Sequence, residues 1–257
     1  MRLDKALALT GLSRTQAKAL IAAGRVQVCG RVVRDPGQSV ETEDILLDGA
    51  PIDARREVYL MINKPAGVVT ATEDKHLPTV VSLLPEKYAR RKIGPVGRLD
   101  RDVTGLVLLT TDGQLAHRLI SPRHKAEKLY RAVCEGELTD ADVRRFAEGL
   151  QLSDFTALPA ELRILSAGET SQADVILTEG KFHQVKRMFA AVGHPLISLK
   201  RLRIGSLWLD ESLKEGEFRL LTDEEVEALV TLGNRDQGLG KQCGDRLTQA
   251  IQLTTDH

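Results

Sequence analysis

Cysteine is scarce: Cys29, Cys134 and Cys243 are odd in number, far apart, and never form a C-x-x-C pair. Such a set provides neither a disulfide framework nor a thiolate zinc site. The six histidines are scattered as well, and no metal is implied. Long apolar runs are also missing, since stretches such as LVLL at 106–109 are strand-sized and far short of a membrane span. The opening MRLDKALALTGLSR spaces Leu and Ala as on a helix and is broken by charges, unlike the continuous apolar block of a secretory signal. A soluble cytoplasmic protein with no membrane partner is expected.

Net charge is absent too, with 36 Lys and Arg against 36 Asp and Glu. Taken alone this argues against a nucleic-acid partner. The average hides segregation along the chain. Residues 1–34 carry seven basic side chains against Asp4 alone, whereas 35–48 carry five acids and no base. A second basic stretch runs from Lys87 to Arg131, and a third from Lys181 to Arg203 contains no acid. Single-sign blocks are usually solvated faces, but three of them beside apparent motifs favour an anionic partner.

The first fifty residues read as a small module. Leu3 and Leu7 mark a short first helix, and Ser13 followed by Gln16 has the form of a capping box opening a second helix over 14–23 that stops at Gly24. Arg14 and Lys18 lie one turn apart on its polar side. VQVCGRVV alternates like strand, turn and strand, and DILLDG supplies another strand. GAPIDARREV breaks the apolar pattern and reads as a linker. The expected boundaries are a module over 1–49, a linker over 50–57, a larger unit over 58–230 and a tail over 231–257. In that tail the Gly, Gln and Asp content implies mobility, with at most a short helix over 246–253.

The larger unit contains GRLDRDVTGLVLLTTDG at 97–113, in which Asp100 and Asp102 lie among Arg98 and Arg101 ahead of an apolar strand. Neighbouring positive charge favours the ionised carboxylate, so this is a candidate nucleophile as well as a plausible turn. VYLMIN at 58–63 reads as a buried strand. KFHQVKRMFAAVGHP reads as a helix over 183–192 ended by Gly193, with Phe182, Val185, Phe189 and Val192 on its buried side and Lys186 on another face. A lone His183 without ligand partners at suitable spacing is read as structural or RNA-facing, and neither it nor Gln184 is taken for a general acid or metal ligand. A hydrolase using Asp100 with Asp102 is disfavoured. Two residues apart on an extended segment they would point the same way, whereas a glycosidase pair must flank its bond.

RLDKALALTGLSRTQAKALIAAGRVQVCGRVVRDPGQSV closely resembles the alpha-L RNA-binding domain of a small-subunit ribosomal protein. NKPAGVVTATED, PTVVSLLP, GRLDRDVTGLVLLTTDG, KLYRAV and EGKFHQVKRMFAAVGHPLISLKRLRIG occur in the order of bacterial ribosomal-RNA pseudouridine synthases of the RsuA type, and the likeness covers about residues 1–230. SPRHKAEKLY at 121–130 is most similar to the member acting on small-subunit RNA.

The resemblance implies an α+β fold: a small RNA-binding module joined to a catalytic domain with a mixed, mainly antiparallel sheet crossed by a cleft. It implies isomerisation of a specific uridine to pseudouridine in 16S ribosomal RNA, without cofactor, by a monomer acting on the RNA or a partly assembled small subunit. A paralogue acting on 23S RNA and a noncatalytic assembly factor are the alternatives. By the same resemblance Asp100 is the nucleophile, Lys186 pairs with it where related families more often carry Arg, and Tyr130 stacks on the flipped ring. Asp102 has no such role. Arg98 is expected to hold the extruded nucleotide, Leu199 to floor the base pocket, and Arg2, Arg14, Lys18 and Arg25 to contact RNA. Arg187 is left outside the catalytic set, facing RNA or solvent.

Overall fold

The structure is a computed structural model that describes residues 1–41, 45–55, 57–121 and 126–234. At the amino terminus α1 (Leu3–Ala8) and α2 (Arg14–Ala22) pack on a small sheet of β1 (Val26–Val28), β2 (Arg31–Val32), β3 (Ile45–Leu47) and β4 (Ala50–Pro51), in the order β2-β1-β3-β4. The capping box opens α2 as expected. The Gln16 amide donates to Ser13 Oγ (3.2 Å) and the Ser13 amide to Gln16 Oε1 (2.9 Å), which satisfies two donors the helix cannot. Leu3, Leu7, Ala17, Ile21, Val26 and Ile45 form the core of this module.

Its two hairpins follow from two-residue turns. Cys29 and Gly30 have φ of 49° and 74°, and Asp48 and Gly49 have 53° and 81°, the left-handed pair that joins twisted antiparallel strands without splaying them. The second turn corrects the expected linker. Because Leu47 pairs with Ala50 and Leu46 with Pro51, residues 50–51 are the last strand of the small sheet.

The larger unit runs β5 (Tyr59–Lys64), α3 (Glu86–Ala89), β6 (Gly94–Pro95), β7 (Thr104–Thr110), α4 (Gly113–Ile120), β8 (Lys128–Glu135) and α5 (Asp140–Glu148). It continues through β9 (Glu161–Ser166), β10 (Thr170–Leu177), α6 (Gln184–Val192), β11 (Leu196–Ile204), β12 (Leu207–Trp208), β13 (Phe218–Leu220) and α7 (Asp223–Asn234). The strands form one nine-stranded sheet in the order β13-β5-β7-β11-β8-β10-β9, with β12 on β11 and β6 on β7. The pairing of β7 with β11 is parallel and the others are antiparallel, so the sheet is mixed and mainly antiparallel. Helix α7 runs past the expected boundary at 230, and the helix expected over 246–253 lies outside the described residues.

Apolar packing on both faces explains why the central strands lack a polar alternation. Along β7, Val107 and Leu109 join a core shared with Phe146 of α5 and Phe189 of α6, whereas Leu106 and Leu108 join one shared with Leu115 and Leu119 of α4 and Leu229 of α7. Burial of each such side chain contributes about 1.5–3 kcal/mol. Phe146 and Phe189 meet edge to face at 5.2 Å, which locks α5 to α6. Among the described residues no helix is long and apolar enough to cross a membrane.

The parallel junction of β7 and β11 lies directly behind the segment that carries Asp100, and it depends on Gly105. There φ is +101°, and a Cβ would lie 2.3 Å from the Arg201 carbonyl oxygen and 2.8 Å from its nitrogen. Both the backbone conformation and the close approach require glycine. Gly105→Ala is therefore expected to lower unfolding free energy by at least roughly 1–3 kcal/mol, the usual magnitude of such backbone strain. Chemical denaturation checks this, and an unchanged midpoint would show that the strands have room to separate.

Candidate active site

The segment bearing Asp100 is held from behind by the loop that follows β5. Thr70 Oγ1 donates to the Leu99 carbonyl (2.8 Å) and receives the Leu99 amide (3.1 Å), and the Gly67 amide donates to the Arg101 carbonyl (2.8 Å). The Val103 amide donates to the Asp100 carbonyl (3.2 Å), closing a turn over residues 101–102. That turn corrects the expectation of an extended segment. Asp100 opens the turn and Asp102 is its third residue, and their environments differ, with side chains 28% and 71% exposed respectively.

Lys64 completes the support and was not singled out in the sequence, although a lysine closing the apolar run VYLMIN before a proline is an anomaly that marks it. Its side chain is entirely buried, and Nζ donates to the carbonyls of Pro65 (2.8 Å) and Arg101 (3.1 Å). Desolvation pushes its pKa down to about 8, against the opposing pull of Asp102, Glu215 and Asp100.

From the other side comes α6. Gln184 is buried and its side chain organises the preceding loop, accepting from the Lys181 amide (2.9 Å) and donating to Glu179 Oε1 (2.6 Å). Val185, Met188, Phe189 and Val192 anchor the helix in the core. Phe182, expected on that buried side, is exposed instead. The helix begins only at Gln184, and His183 ahead of it has φ +51°, so the periodicity that continues backward on paper is turned aside.

Lys186 emerges from the first turn of α6 toward the aspartates. Its Nζ lies 2.6 and 2.7 Å from the two oxygens of Asp102 and 3.5 Å from Asp100 Oδ2. The expected ion pair with Asp100 is present, but the ammonium is shared, and its shorter contacts are with Asp102. Its hydrogen bonds hold the Asp102 carboxyl below the usual carboxylate range. His183 Nε2 stands 3.5 Å from Asp100 Oδ1, a neighbour that sequence reasoning had set aside as structural or RNA-facing. Arg187 donates to Ser153 Oγ (2.9 Å) and pairs with Asp154.

An open cleft of about 460 Å³, counting space open to solvent, lies in front of these groups. Arg98, Asp100, Lys181, His183 and Lys186 contribute its polar wall, and Val103, Tyr130, Leu177, Val185 and Leu199 its apolar one. Asp100, Lys186, Tyr130, Leu199 and Arg98 thus converge from the turn before β7, from α6, from β8 and from β11. A lining that joins apolar side chains to a few charged ones suits a small polar ligand.

The four basic residues of the amino-terminal module are not brought to this cleft. Arg14 and Lys18 are exposed on α2. Arg2 is paired with Asp4 at 3.1 Å and Arg25 with Asp48 at 2.7 Å, so both are already engaged within the module. Of the segment SPRHKAEKLY, residues 122–125 lie outside the described ones.

Comparisons with known proteins agree in their direction. Residues 58–191 match the model of the RNA pseudouridylate synthase family, and residues 1–46 match the S4 domain. The chain is 43% identical over 235 residues to the ribosomal small subunit pseudouridine synthase A of Escherichia coli K12, covering 90% of this chain and all of that one. It is 42% identical to an uncharacterized RNA pseudouridine synthase of Bacillus subtilis, covering 89% of this chain and 98% of the relative. A crystal structure of a pseudouridylate synthase aligns with a TM-score of 0.64 at 39% identity, over 89% of this chain and 99% of its own.

The burial of Lys64 sets a pH dependence. Its folded pKa is lowered from the ordinary 10.5 to about 8, so between these values the unfolded chain binds more protons than the folded one. The contribution of Lys64 to stability therefore rises as pH climbs from about 8 toward 10.5 and falls as pH drops back through 8. Denaturant unfolding of the wild type and Lys64→Met at pH 7.5 and pH 9.5 measures this. The wild type is expected to gain on the variant at the higher pH, and a pH-independent difference would refute the assignment.

Proposed function

Because the chain belongs to the RNA pseudouridylate synthase family, in the RsuA type with an S4 domain ahead of the catalytic unit, we propose that it isomerises one uridine of 16S ribosomal RNA. The observation that carries this reading is the convergence in one cleft of Asp100, Lys186, Tyr130, Leu199 and Arg98. The small-subunit target is supported by the 43% identity to a relative named for that subunit.

The reaction moves the ribose of uridine from N1 to C5 of the ring. One bond from C1′ breaks and another forms, C5 loses a proton and N1 gains one, so no oxidant, reductant or external group is required. What it needs is a nucleophile that bonds carbon temporarily and then leaves, and a carboxylate does both. Asp100 is that group. Its attack at C1′, its attack at C6 and removal of the 2′ proton are the three routes open to it.

Reaching these atoms requires the uridine to leave its stack, at a cost of a few kcal/mol that is least where the RNA is already looped. Stacking on Tyr130, contributing about 1–3 kcal/mol, offsets much of that. Leu199 closes the floor, and Arg98 at the mouth holds a phosphate of the extruded nucleotide. Lys186 balances the two carboxylates that the turn brings together and orients Asp100 toward the cleft.

Incubation of the purified protein with 16S transcript or small-subunit particles, followed by chemical mapping of pseudouridine, tests the reading. One modified position is expected, and Asp100→Asn should lower its formation by roughly three orders of magnitude or more. Modification confined to 23S RNA, or none at all, would replace the target or the enzymatic reading. In the module, Arg14 and Lys18 are each assigned one phosphate. Replacing both by Ala should reduce the slope of log affinity against log salt by roughly 1.4–1.8, with an unchanged slope excluding α2 from the interface.

A further inference from the structure

Phe182 is the most exposed of the large apolar side chains among the described residues, at 76%. Single exposed apolar residues are ordinary, but this one is held in a defined position. Its ring stacks on that of His183, with centroids 3.7 Å apart and planes 19° from parallel. His183 is in turn fixed by a left-handed backbone (φ +51°) and stands 3.5 Å from Asp100 Oδ1. Lys181 and His183, the residues on either side, both line the cleft, so Phe182 belongs to the segment that borders it. Lys181 is itself placed, with Nζ 3.9 Å from the centre of the Phe155 ring.

We infer that Phe182, backed by His183, is a stacking platform for the unpaired base next to the target uridine. This rests on the cleft receiving an extruded uridine. Withdrawing one base from a stack bares the face of its neighbour, and an aromatic ring that is covered on one side and open on the other can replace the lost partner. The occupant is an RNA base because the residues on either side of the ring, Lys181 and His183, belong to the cleft wall, and Lys181 is a cation suited to a phosphate of the same strand. Every base has a π-face, so the platform adds affinity without adding sequence preference. Phe182 is a binding residue and takes no part in the chemistry.

The test uses the full-length protein and its Phe182→Ala and Phe182→Trp variants. In pseudouridine formation Phe182→Ala is expected to raise KM by roughly 5- to 150-fold, the equivalent of one stacked base, with kcat little changed, and Phe182→Trp to restore it. Thermal unfolding should not move, since the ring is exposed. An oligoribonucleotide with 2-aminopurine beside the modified uridine should be quenched on binding the wild type and Phe182→Trp but not Phe182→Ala. Equal KM and equal quenching in wild type and Phe182→Ala overturn the platform. So does a fall in kcat or in unfolding temperature shared by both variants, which would mean a structural role. If the wild type forms no pseudouridine, the proposed function fails by itself, and the dissociation constants of 16S transcript for wild type and Phe182→Ala then decide the platform alone, equality refuting it.

Discussion

One ammonium group between two carboxylates organises this site. Asp100 and Asp102 are placed near one another by a tight turn, which sets two like charges beside each other. Lys186, 2.6 Å from Asp102 and 3.5 Å from Asp100, places a positive charge between them from a different element of the fold. The more exposed aspartate receives the shorter contacts. Asp102 thus acts as the anchor that fixes the ammonium, and Asp100 keeps its remaining surface toward the cleft. A lysine suits this sharing, because a compact point charge can serve two partners where the planar fork of arginine would favour one.

The rest of the fold holds the two sides of that contact in register. On one side, the end of β5 and the loop after it grip Leu99 and Arg101 through Lys64, Gly67 and Thr70, whose hydrogen bonds go to the main chain on both sides of Asp100. On the other, Gln184 shapes the approach to α6, and Phe189 secures the helix against Phe146. The sheet between them brings Tyr130 from β8 and Leu199 from β11 to the same apolar floor. Gly105 allows β7 and β11 to run side by side there, where any side chain would wedge them apart. Rigid elements on every side leave the Asp100 carboxylate little freedom to wander.

Much of this was legible in the sequence, for reasons that are local. The capping box at Ser13, the two-residue turn at Cys29 and Gly30, and the apolar runs of β5 and β7 are written in residues within a few positions of one another. The convergence of Asp100, Tyr130, Lys186 and Leu199 was accessible only through family resemblance, since no spacing rule joins positions so far apart. What escaped depends on three-dimensional competition. The pair of Lys186 with Asp100 followed from the resemblance, but its shorter contact with Asp102 did not, because the turn over 101–102 was not foreseen. Phe182 matched the helical period of Val185, Phe189 and Val192, but a left-handed residue at 183 ended that period one step early. Ala50 and Pro51 looked like linker because proline and glycine mark breaks, yet here they close a hairpin.

The sharing of Lys186 is most directly measured by a double-mutant cycle on pseudouridine formation with Asp102→Asn and Lys186→Met. If the ammonium acts through both carboxylates, the two losses overlap, and adding Asp102→Asn to Lys186→Met costs little more than Lys186→Met alone, a coupling within the roughly 0.5–3 kcal/mol seen for residues in contact. Losses that simply multiply would contradict it, showing that Asp102 and Lys186 serve the reaction independently and that the contact between them organises nothing.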